Sequence, residues 1–317
     1  MKKNILFVTP KWCDGLPELG FNNDFHNHFT TIMQSRPDCT IHTIYTDECA
    51  LIYGCKIDNI IKKYVTDNKI SIILYSLING RDYNPSVQCM RDLKESVAQC
   101  IFWYDTGPDW GLKSIEQIGN SVDYHFSWDN PKGPFHEKEK LPNHLTLWTP
   151  EDPTLFDFDS RKDIDVSFLG SIDMYRDRIE TLNLLHNKIK LVVSGGQRAA
   201  KLSPYQYASI IRRSKIGINF ALSQTGVFWQ AKGRIFEYTA SGGLLLDSRN
   251  PCTPDYFRPG IDYIEFSTVQ DIIDIVQYYL QNSEIRQKIA LSGYNRFKEL
   301  WTAQKYWDTV ISKLERQ

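Results

Sequence analysis

Two cations, a carboxylate and a glycine pair occur within sixteen residues of this chain, in the segment KGRIFEYTASGGLLLD from Lys232 to Asp247. The apolar spacing predicts a helix over about 233–241, a stop at the glycine pair and then a short buried strand. Glu237 on that helix could accept hydrogen bonds from ribose hydroxyls, while Lys232 and Arg234 could contact phosphate oxygens. The segment suits a nucleotide diphosphate, although an ordinary amphipathic helix with a glycine stop has the same pattern.

A second segment with phosphate-binding chemistry is VSFLGSIDMYRDR, from Val166 to Arg178. A buried strand is predicted to lead into Gly170 and Ser171, and a helix that carries Arg176 and Arg178 follows. Glycine lets a backbone approach a phosphate closely, a helix start offers unpaired amide donors, and arginine supplies a fork for the oxygens. We interpret the segment as a phosphate site, although Gly170 could be only the turn that ends the strand.

Two further loops in the same half could contribute to this site. Ser194 ends a predicted strand and is followed by two glycines, which repeats the strand-to-glycine arrangement. The loop after Asn219 carries Phe228 and Trp229, whose rings could stack on a base or a sugar. Such aromatic residues more often belong to the core, but the glycine and polar neighbours of the loop favour a place near the ligand.

The amino-terminal half offers two candidate bases. In CIFWYDTGPDWG, a buried strand leads into Asp105, where a carboxylate could act as a general base or could simply cap the next turn. The long loop after the first strand carries His26, a second candidate base that could equally be structural. No spacing of His, Cys and acidic residues suggests a metal site, so we predict none.

These segments require a scaffold that brings strand ends together. Short apolar runs and helical patterns alternate through the first half, which predicts a doubly wound parallel sheet. A turn-rich stretch without a sustained period, 149–163, is the predicted linker. A second alternation follows and closes with long helical patterns over 269–281, 283–300 and 303–314. The predicted fold is α/β, with two Rossmann-like doubly wound domains that face each other across a cleft, 1–150 and 151–302.

The composition fits an enzyme of this kind. The chain has 317 residues, of which 42% are hydrophobic and 24% charged, as expected for a globular protein with two domains. A net charge of −1 argues against general nucleic-acid binding. Seven cysteines without a CxxC pair suggest a reducing compartment. The apolar run before Pro10 is too short for a signal core, so we expect a cytoplasmic enzyme without a membrane span.

The chain resembles the GT-B glycosyltransferases, and among them the group related to the spore-maturation protein CgeB. The resemblance is to a family 1-type glycosyl transferase and is strongest over about 164–301. It rests on DVSFLGS, SKIGINF, KGRIFEYTASGGLLLD, FRPGIDYIEF and YLQNSEIRQKIALSGYNRF. In the first half, only the strand pattern and WYDTGPD agree with it.

The resemblance implies a nucleotide-sugar donor on the second domain and an acceptor on the first, with the final helix, 303–317, packed back on the first. By position, Glu237 would bind the donor ribose, Gly242 and Gly243 would border the diphosphate, and Arg176 with Lys232 or Arg234 would neutralise it. Two positions depart from the family pattern. Trp229 replaces the first of two acidic residues, and Ser171 replaces a phosphate-binding arginine.

The expected activity is transfer of a sugar from a nucleotide-diphosphate sugar, with UDP-sugar favoured, to an acceptor hydroxyl. The acceptor could be a glycan, a protein, a small molecule or a hydroxymethylated base of phage DNA. No cofactor or metal is expected to be required, because the cations and backbone amides could stabilise the departing diphosphate. A nucleotide-sugar epimerase and a non-catalytic sugar-nucleotide-binding protein are the alternatives. The sequence leaves open the stereochemical outcome and the oligomeric state.

Overall fold

The computed structural model describes residues 3–22, 28–29, 31–32, 36–54, 56–78, 80–132, 143–172, 175–195 and 202–315. These residues form two compact units, each built on one parallel sheet. The first unit comprises the described residues within Met1–Asn130, Phe135–Pro150 and Ala303–Gln317. The second comprises those within Pro131–Pro134 and Glu151–Thr302.

The first unit contains a six-stranded parallel sheet in the order β2-β1-β3-β4-β5-β6. Its strands are β1 Lys3–Thr9, β2 Cys39–Tyr45, β3 Ile72–Ser76, β4 Ala98–Trp103, β5 Tyr124–Ser127 and β6 His144–Thr146. Every residue of β3 and β4 is buried, as expected for central strands that are covered on both faces. The helices of this unit are α1 Thr46–Leu51, α2 Ile57–Asp67, α3 Val87–Lys94, α4 Asp109–Ile118 and, from the end of the chain, α10 Ala303–Leu314.

Helix α10 belongs to the first unit although it follows the second in sequence. Tyr306 and Trp307 on this helix are completely buried. The Tyr306 hydroxyl accepts a hydrogen bond from Trp128 Nε1 at 2.6 Å, and Trp307 Nε1 donates to Thr31 Oγ1 at 2.7 Å. These bonds satisfy the polar ends of large aromatic side chains, so the helix is anchored by packing and by hydrogen bonds.

The second unit contains a five-stranded parallel sheet in the order β11-β10-β9-β7-β8. Its strands are β7 Ile164–Leu169, β8 Leu191–Ser194, β9 Ser214–Asn219, β10 Leu244–Ser248 and β11 Ile264–Phe266. Its helices are α5 Arg176–His186, α6 Pro204–Arg213, α7 Arg234–Ala240, α8 Val269–Gln281 and α9 Ser283–Leu300. Helices α6 and α8 each begin with a capping box, at Ser203 and Thr268.

The predicted α/β class with two doubly wound parallel sheets is confirmed. In each sheet the first strand lies beside the second on one side and beside the third on the other, so the direction of winding reverses there. This reversal creates a switch point between β1 and β3 in one unit and between β7 and β9 in the other. Ligands of open parallel sheets bind at the carboxyl ends of the strands, next to such a point.

Candidate functional site

The switch point of the second sheet is where the predicted phosphate segments meet. Gly170 directly follows β7, and Asn219 is the last residue of β9. These strands are neighbours, so both residues lie at the same edge of the sheet. This is the edge at which open parallel sheets bind their ligands.

Arg234, the first residue of α7, spans the two strands. Its Nη1 donates to the Leu169 carbonyl oxygen at 3.1 Å, and its Nε donates to Asn219 Oδ1 at 3.0 Å. Gly170 makes this possible, because a Cβ atom there would lie 2.1 Å from Arg234 Nη1. The missing side chain of Gly170 therefore accommodates a guanidinium that stands at the predicted phosphate site.

Arg178, in the first turn of α5, also spans both strands. Its Nη1 donates to the Ser171 carbonyl oxygen at 2.5 Å, and its Nη2 donates to that of Phe220 at 3.4 Å. The guanidinium lies 3.7 Å from the centre of the Tyr175 ring, and the residue is only 4% exposed. Its Nε has no hydrogen-bond partner within the described residues. Burial, followed by repulsion from Arg234, lowers the pKa of Arg178 to about 9.

The two guanidiniums flank a common ring. The central carbon atoms of Arg178 and Arg234 lie 5.4 and 5.2 Å from the centre of Phe168. Within the part of the chain that the structure describes, neither guanidinium forms an ion pair with a carboxylate. Buried charge is costly unless it is paired, and paired guanidinium groups match phosphate oxygens in charge and geometry. The arrangement is suited to an anion with several oxygens.

A buried carboxylate supports Arg234 from behind. Asp247 Oδ1 accepts from Asn219 Nδ2 at 2.8 Å, and Oδ2 accepts from Thr253 Oγ1 at 2.6 Å and from Asn250 Nδ2 at 3.0 Å. Burial raises the pKa of Asp247 to about 6, while the three hydrogen bonds and the charge of Arg234 act in the opposite direction. The carboxylate is fully buried, so its role toward a ligand is indirect.

Glu237 lies one helical turn after Arg234 and is half-buried. Its Oε2 accepts from the Tyr207 hydroxyl at 2.8 Å. Burial, followed by the Glu237 charge, raises the pKa of Tyr207 well above its ordinary value, so the phenol stays a donor. Lys232, two residues before Arg234, donates to Gln230 Oε1. The structure thus brings Lys232, Arg234 and Glu237 together near the start of α7.

The loops after β7 and β8 are in direct backbone contact. Gly170 N donates to the Ser194 carbonyl oxygen at 2.9 Å. A Cβ atom at Gly195, whose φ is 126°, would lie 2.1 Å from the Gly170 oxygen. Ser194 is therefore joined to the switch-point loop, and glycine is required next to it for packing between backbones.

Gly242 and Gly243 do not lie at this edge, which corrects the prediction that they border the diphosphate. They precede β10, at the amino ends of the strands, because α7 runs antiparallel to the sheet. Lys162, just before β7, donates to the carbonyl oxygen of Ser241 at 2.7 Å, which places the glycine pair beside the beginning of that strand. Gly242 has a φ of 69° and contacts the Phe158 ring, so its role is to end α7.

Three other predicted residues have a different outcome. Arg176 is the first residue of α5, but its side chain lies outside the described part of the structure. Phe228 is buried, so the interpretation that its ring stacks on a ligand is wrong. Trp229 is half-buried, and its backbone pairs with that of Lys132 through two hydrogen bonds of 2.9 Å.

In the first unit, Asp105 is exposed and follows β4 at the carboxyl edge of its sheet. The loop is fixed by Asp129, which follows β5. Asp129 Oδ2 accepts from the backbone N–H groups of Thr106 and Gly107 at 2.7 and 3.2 Å, and Oδ1 accepts from the Thr106 hydroxyl at 2.7 Å. Asp105 therefore extends from an ordered loop. His26 lies outside the described residues.

A similar carboxylate orders the loop after β1. Asp47, which follows β2 and is completely buried, accepts from the backbone N–H of Lys11 with both carboxylate oxygens, at 2.9 and 3.0 Å, and from that of Trp12 at 3.1 Å. Neither Asp47 nor Asp129 was selected from the sequence. The only available signal was an acidic residue soon after a buried strand.

Arg178 and Asn219 are residues of the site that the sequence interpretation named without giving them a specific role. Both lie in segments that it had selected, but Arg176 was chosen over Arg178. An aromatic residue three positions before Arg178 was the available signal, because Tyr175 provides the surface on which the guanidinium lies. Asn219 at the end of a buried strand was recognised without a role.

Two negative results concern the described residues alone. None of the helices in the described ranges is both long enough and apolar enough to cross a membrane. No cluster of three or more His, Cys, Asp or Glu residues suited to a metal ion occurs in that part of the chain.

Comparison with known proteins identifies the second half most clearly. Residues 161–312 match the family model described as glycosyl transferase-like. No curated protein sequence matches the chain at a significant level.

Solved structures resemble the whole chain in fold. HepE from Anabaena in complex with UDP is 9% identical, with 98% of this chain and 100% of that chain covered and a TM-score of 0.56. Sucrose-phosphate synthase from Thermosynechococcus elongatus is 10% identical, with coverage of 98% and 99% and a TM-score of 0.63. A glycosyltransferase from Rickettsia africae is 10% identical, with coverage of 100% of both chains and a TM-score of 0.61. These similarities establish the GT-B fold.

Proposed function

We propose that this chain is a glycosyltransferase that transfers a sugar from a UDP-sugar to an acceptor hydroxyl; the glycosyl transferase-like match over residues 161–312 and the GT-B fold support this proposal. The donor lies at the carboxyl edge of β7 and β9 in the second unit. In this reaction the bond from the anomeric carbon to the β-phosphate oxygen breaks, and a bond from that carbon to the acceptor oxygen forms. The acceptor proton passes to a base, and UDP leaves with the electron pair of the broken bond.

The observation that carries the proposal is the pair of guanidiniums at the switch point. Arg178 and Arg234 both bridge the ends of β7 and β9, and neither is in direct contact with a carboxylate among the described residues. A diphosphate supplies a direct counter-charge and gains more negative charge as it leaves. Fixed cations therefore stabilise the transition state more strongly than the bound donor, which is the requirement for catalysis.

Glu237 supports the nucleoside part of the donor. Its carboxylate is half-buried at the same end of α7, and Tyr207 holds one oxygen at 2.8 Å. A carboxylate oriented in this way can accept two hydrogen bonds from vicinal ribose hydroxyls. HepE, which has the same fold, was solved with UDP, and this supports uridine as the base.

The acceptor belongs to the first unit in this proposal, with Asp105 as the base. Asp105 is exposed at the carboxyl edge of its sheet, and Asp129 holds the adjoining backbone. A base must reach the acceptor hydroxyl in a fixed geometry, so an ordered loop with one exposed carboxylate fits the role. The class of acceptor stays with the glycan, protein, small-molecule and modified-DNA alternatives.

Calorimetric titration with UDP, ADP, GDP and inorganic pyrophosphate tests the donor site. We expect UDP to bind most tightly of the four. Glu237→Gln should lower the affinity for UDP about tenfold and leave the affinity for pyrophosphate unchanged, because the variant loses only ribose contacts. Glu265→Gln is the matched control, since Glu265 is also half-buried and accepts from a tyrosine hydroxyl, that of Tyr263 at 3.1 Å. Failure of every nucleotide to bind would falsify the donor assignment.

Mass spectrometry of reactions with UDP-glucose and a panel of acceptors tests the chemistry. Transfer of a hexose to an acceptor supports the proposal. Isomerisation of the donor without any acceptor would instead indicate an epimerase.

A further inference from the structure

Asp247 is hydrogen-bonded in a way that fixes more than its own position. Three donors surround the carboxylate, from Asn219, Asn250 and Thr253, at distances of 2.6 to 3.0 Å. A carboxylate only accepts hydrogen bonds, so every group that contacts it must present a donor. The side-chain amide of Asn219 consequently has to direct its nitrogen toward Asp247.

The same amide is constrained from its other end. Asn219 Oδ1 accepts from Arg234 Nε at 3.0 Å, and a guanidinium can only donate. The amide of Asn219 thus lies between an obligatory acceptor and an obligatory donor. Only one of its two flipped orientations satisfies both neighbours, so its orientation follows from the chemistry of Asp247 and Arg234.

These hydrogen bonds fix the orientation of the Arg234 guanidinium. With Nε on Asn219 and Nη1 on the Leu169 carbonyl oxygen, Arg234 is held at both ends of its fork across the switch point. A bidentate group binds a phosphate well only if its plane is fixed beforehand, because fixing it during binding costs affinity. Asp247 itself is completely buried and is separated from the edge by Asn219.

We propose that Asp247 is a positioning residue for the donor site: through Asn219 it fixes the guanidinium of Arg234 in the orientation that receives the diphosphate. This inference rests on the proposed function, in which Arg234 binds the donor. It assigns to the acidic residue at the end of β10 a role in affinity and rate without contact with the substrate.

An exchange of side chains tests the relay. Asp247→Asn replaces a carboxylate, which has two acceptor oxygens, with an amide, whose nitrogen is a donor and would face one of the three donors around this side chain. If Asn219 flips to accommodate it, the nitrogen of Asn219 faces the Nε donor of Arg234. In the double variant Asn219→Asp/Asp247→Asn, the carboxylate accepts from Arg234 and from the new amide, whose oxygen can still accept from Thr253 and Asn250. Every donor again meets an acceptor.

Two readouts distinguish positioning from a merely structural role. The first is the ¹⁵N NMR signal of the Arg234 Nε–H group, assigned by its absence in Arg234→Lys. The second is the affinity for UDP. We expect Asp247→Asn to broaden the signal and to weaken UDP binding about tenfold. The double variant should restore a narrow signal, displaced because its acceptor is now a carboxylate, and should recover part of the affinity, because that carboxylate orients Arg234 but also partly neutralises it.

Thr253→Val is the matched control. It removes one donor to Asp247 but leaves the contact of Asn219 unchanged, so it should lower thermal stability without moving the Arg234 signal or the affinity for UDP. The inference is overturned if Asp247→Asn changes neither readout, or if the double variant recovers neither. If Asp247→Asn alone fails to fold, the double variant decides: a folded protein with a narrow Arg234 signal supports the relay, and a second failure to fold refutes it.

The outcome for the proposed function is separate. If the wild-type protein does not bind UDP, the donor proposal fails, whereas the NMR signal still reports whether Asp247 orients Arg234 through Asn219.

Discussion

Replacement of Arg178 by methionine should make the ligand-free protein more stable and should weaken binding of the donor. In the folded protein the guanidinium of Arg178 is 4% exposed, and its pKa is lowered to about 9 by burial and by Arg234. A decrease from 12.5 to about 9 corresponds to a cost of roughly 5 kcal/mol for keeping the group charged, at about 1.4 kcal/mol per pKa unit. Arginine remains charged at neutral pH, so the folded state carries this cost until an anion binds.

Several favourable contacts of Arg178 reduce the gain. The stacking on Tyr175, at 3.7 Å, contributes about 1 to 2 kcal/mol, and the hydrogen bond to the Ser171 carbonyl contributes about 1 kcal/mol. The bond to Phe220, at 3.4 Å, is weak, and the exposed Ser171 can be solvated instead. Methionine retains the unbranched stem. We therefore expect a net increase of about 2 kcal/mol in the free energy of unfolding, in line with other replacements of buried charge by apolar side chains.

The effect on binding has the opposite sign. Loss of a charge-assisted contact with the diphosphate removes about 1.5 to 3 kcal/mol, which weakens UDP by about 10- to 150-fold. Thermal unfolding with and without UDP measures both effects in one experiment. Arg178→Met should unfold at a higher temperature than the wild type without ligand, and saturating UDP should raise its midpoint much less.

A surface arginine supplies the control. Arg213 pairs with Asp163 at 2.7 Å at the amino edge of the second sheet, whereas the proposed donor site is at its carboxyl edge. Arg213→Met should therefore leave both midpoints close to those of the wild type. The reasoning is refuted if Arg178→Met destabilises the ligand-free protein while the response to UDP is unchanged. Arg178 would then be a structural cation whose carbonyl partners matter more than its charge.

Three further outcomes are expected. The pKa of Asp247, about 6 against an ordinary 3.8, means that the folded protein holds this proton more tightly than the unfolded chain. Its contribution to stability is therefore greatest below about pH 4 and falls by about 3 kcal/mol as the pH rises through 6, and urea unfolding of Asp247→Asn at pH 4.5 and 7 should show a flatter dependence. Gly170→Ala should lower the calorimetric affinity for UDP, because the new methyl group would lie 2.1 Å from Arg234 Nη1. In the control Gly242→Ala, the methyl group would lie 2.5 Å from the Phe158 ring, so the thermal midpoint should fall while the affinity for UDP is unchanged. Asp105→Asn should reduce the transfer rate by about 100-fold or more with the same UDP affinity, as expected for a base that does not contact the donor, and an unchanged rate would exclude this role.

Most of the fold could be predicted from the sequence because the strands are buried runs that stop at polar or glycine residues. Each predicted strand overlaps an observed one, and the helices 269–281, 283–300 and 303–314 have the predicted bounds. The sequence interpretation did not include α1 and α4. Helix α1 has only six residues, whereas α4 is amphipathic and was missed.

The candidate site was less predictable because it depends on which side of a helix or strand a residue faces. Arg176 and Arg178 belong to the same first turn, and only the position of Tyr175 and the carbonyl groups selects Arg178. The prediction for Gly242 failed for a related reason. A motif of sixteen residues that contains a helix spans from one edge of a sheet to the other, so its two ends cannot both contact one ligand.

The buried carboxylates of both units share one structural role, which is to accept hydrogen bonds from neighbouring loops or strand ends. At the carboxyl edge of a parallel sheet, the loop after each strand has backbone or amide donors without a ladder partner. Asp47, Asp129 and Asp247 each follow or end a strand and accept from the loop or residue at the end of the neighbouring strand. Their acceptor capacity is used inside the protein. In the proposed function, direct chemistry therefore falls to the more accessible Asp105 and Glu237. Asp129 holds the loop that carries Asp105, and Tyr207 holds the carboxylate of Glu237.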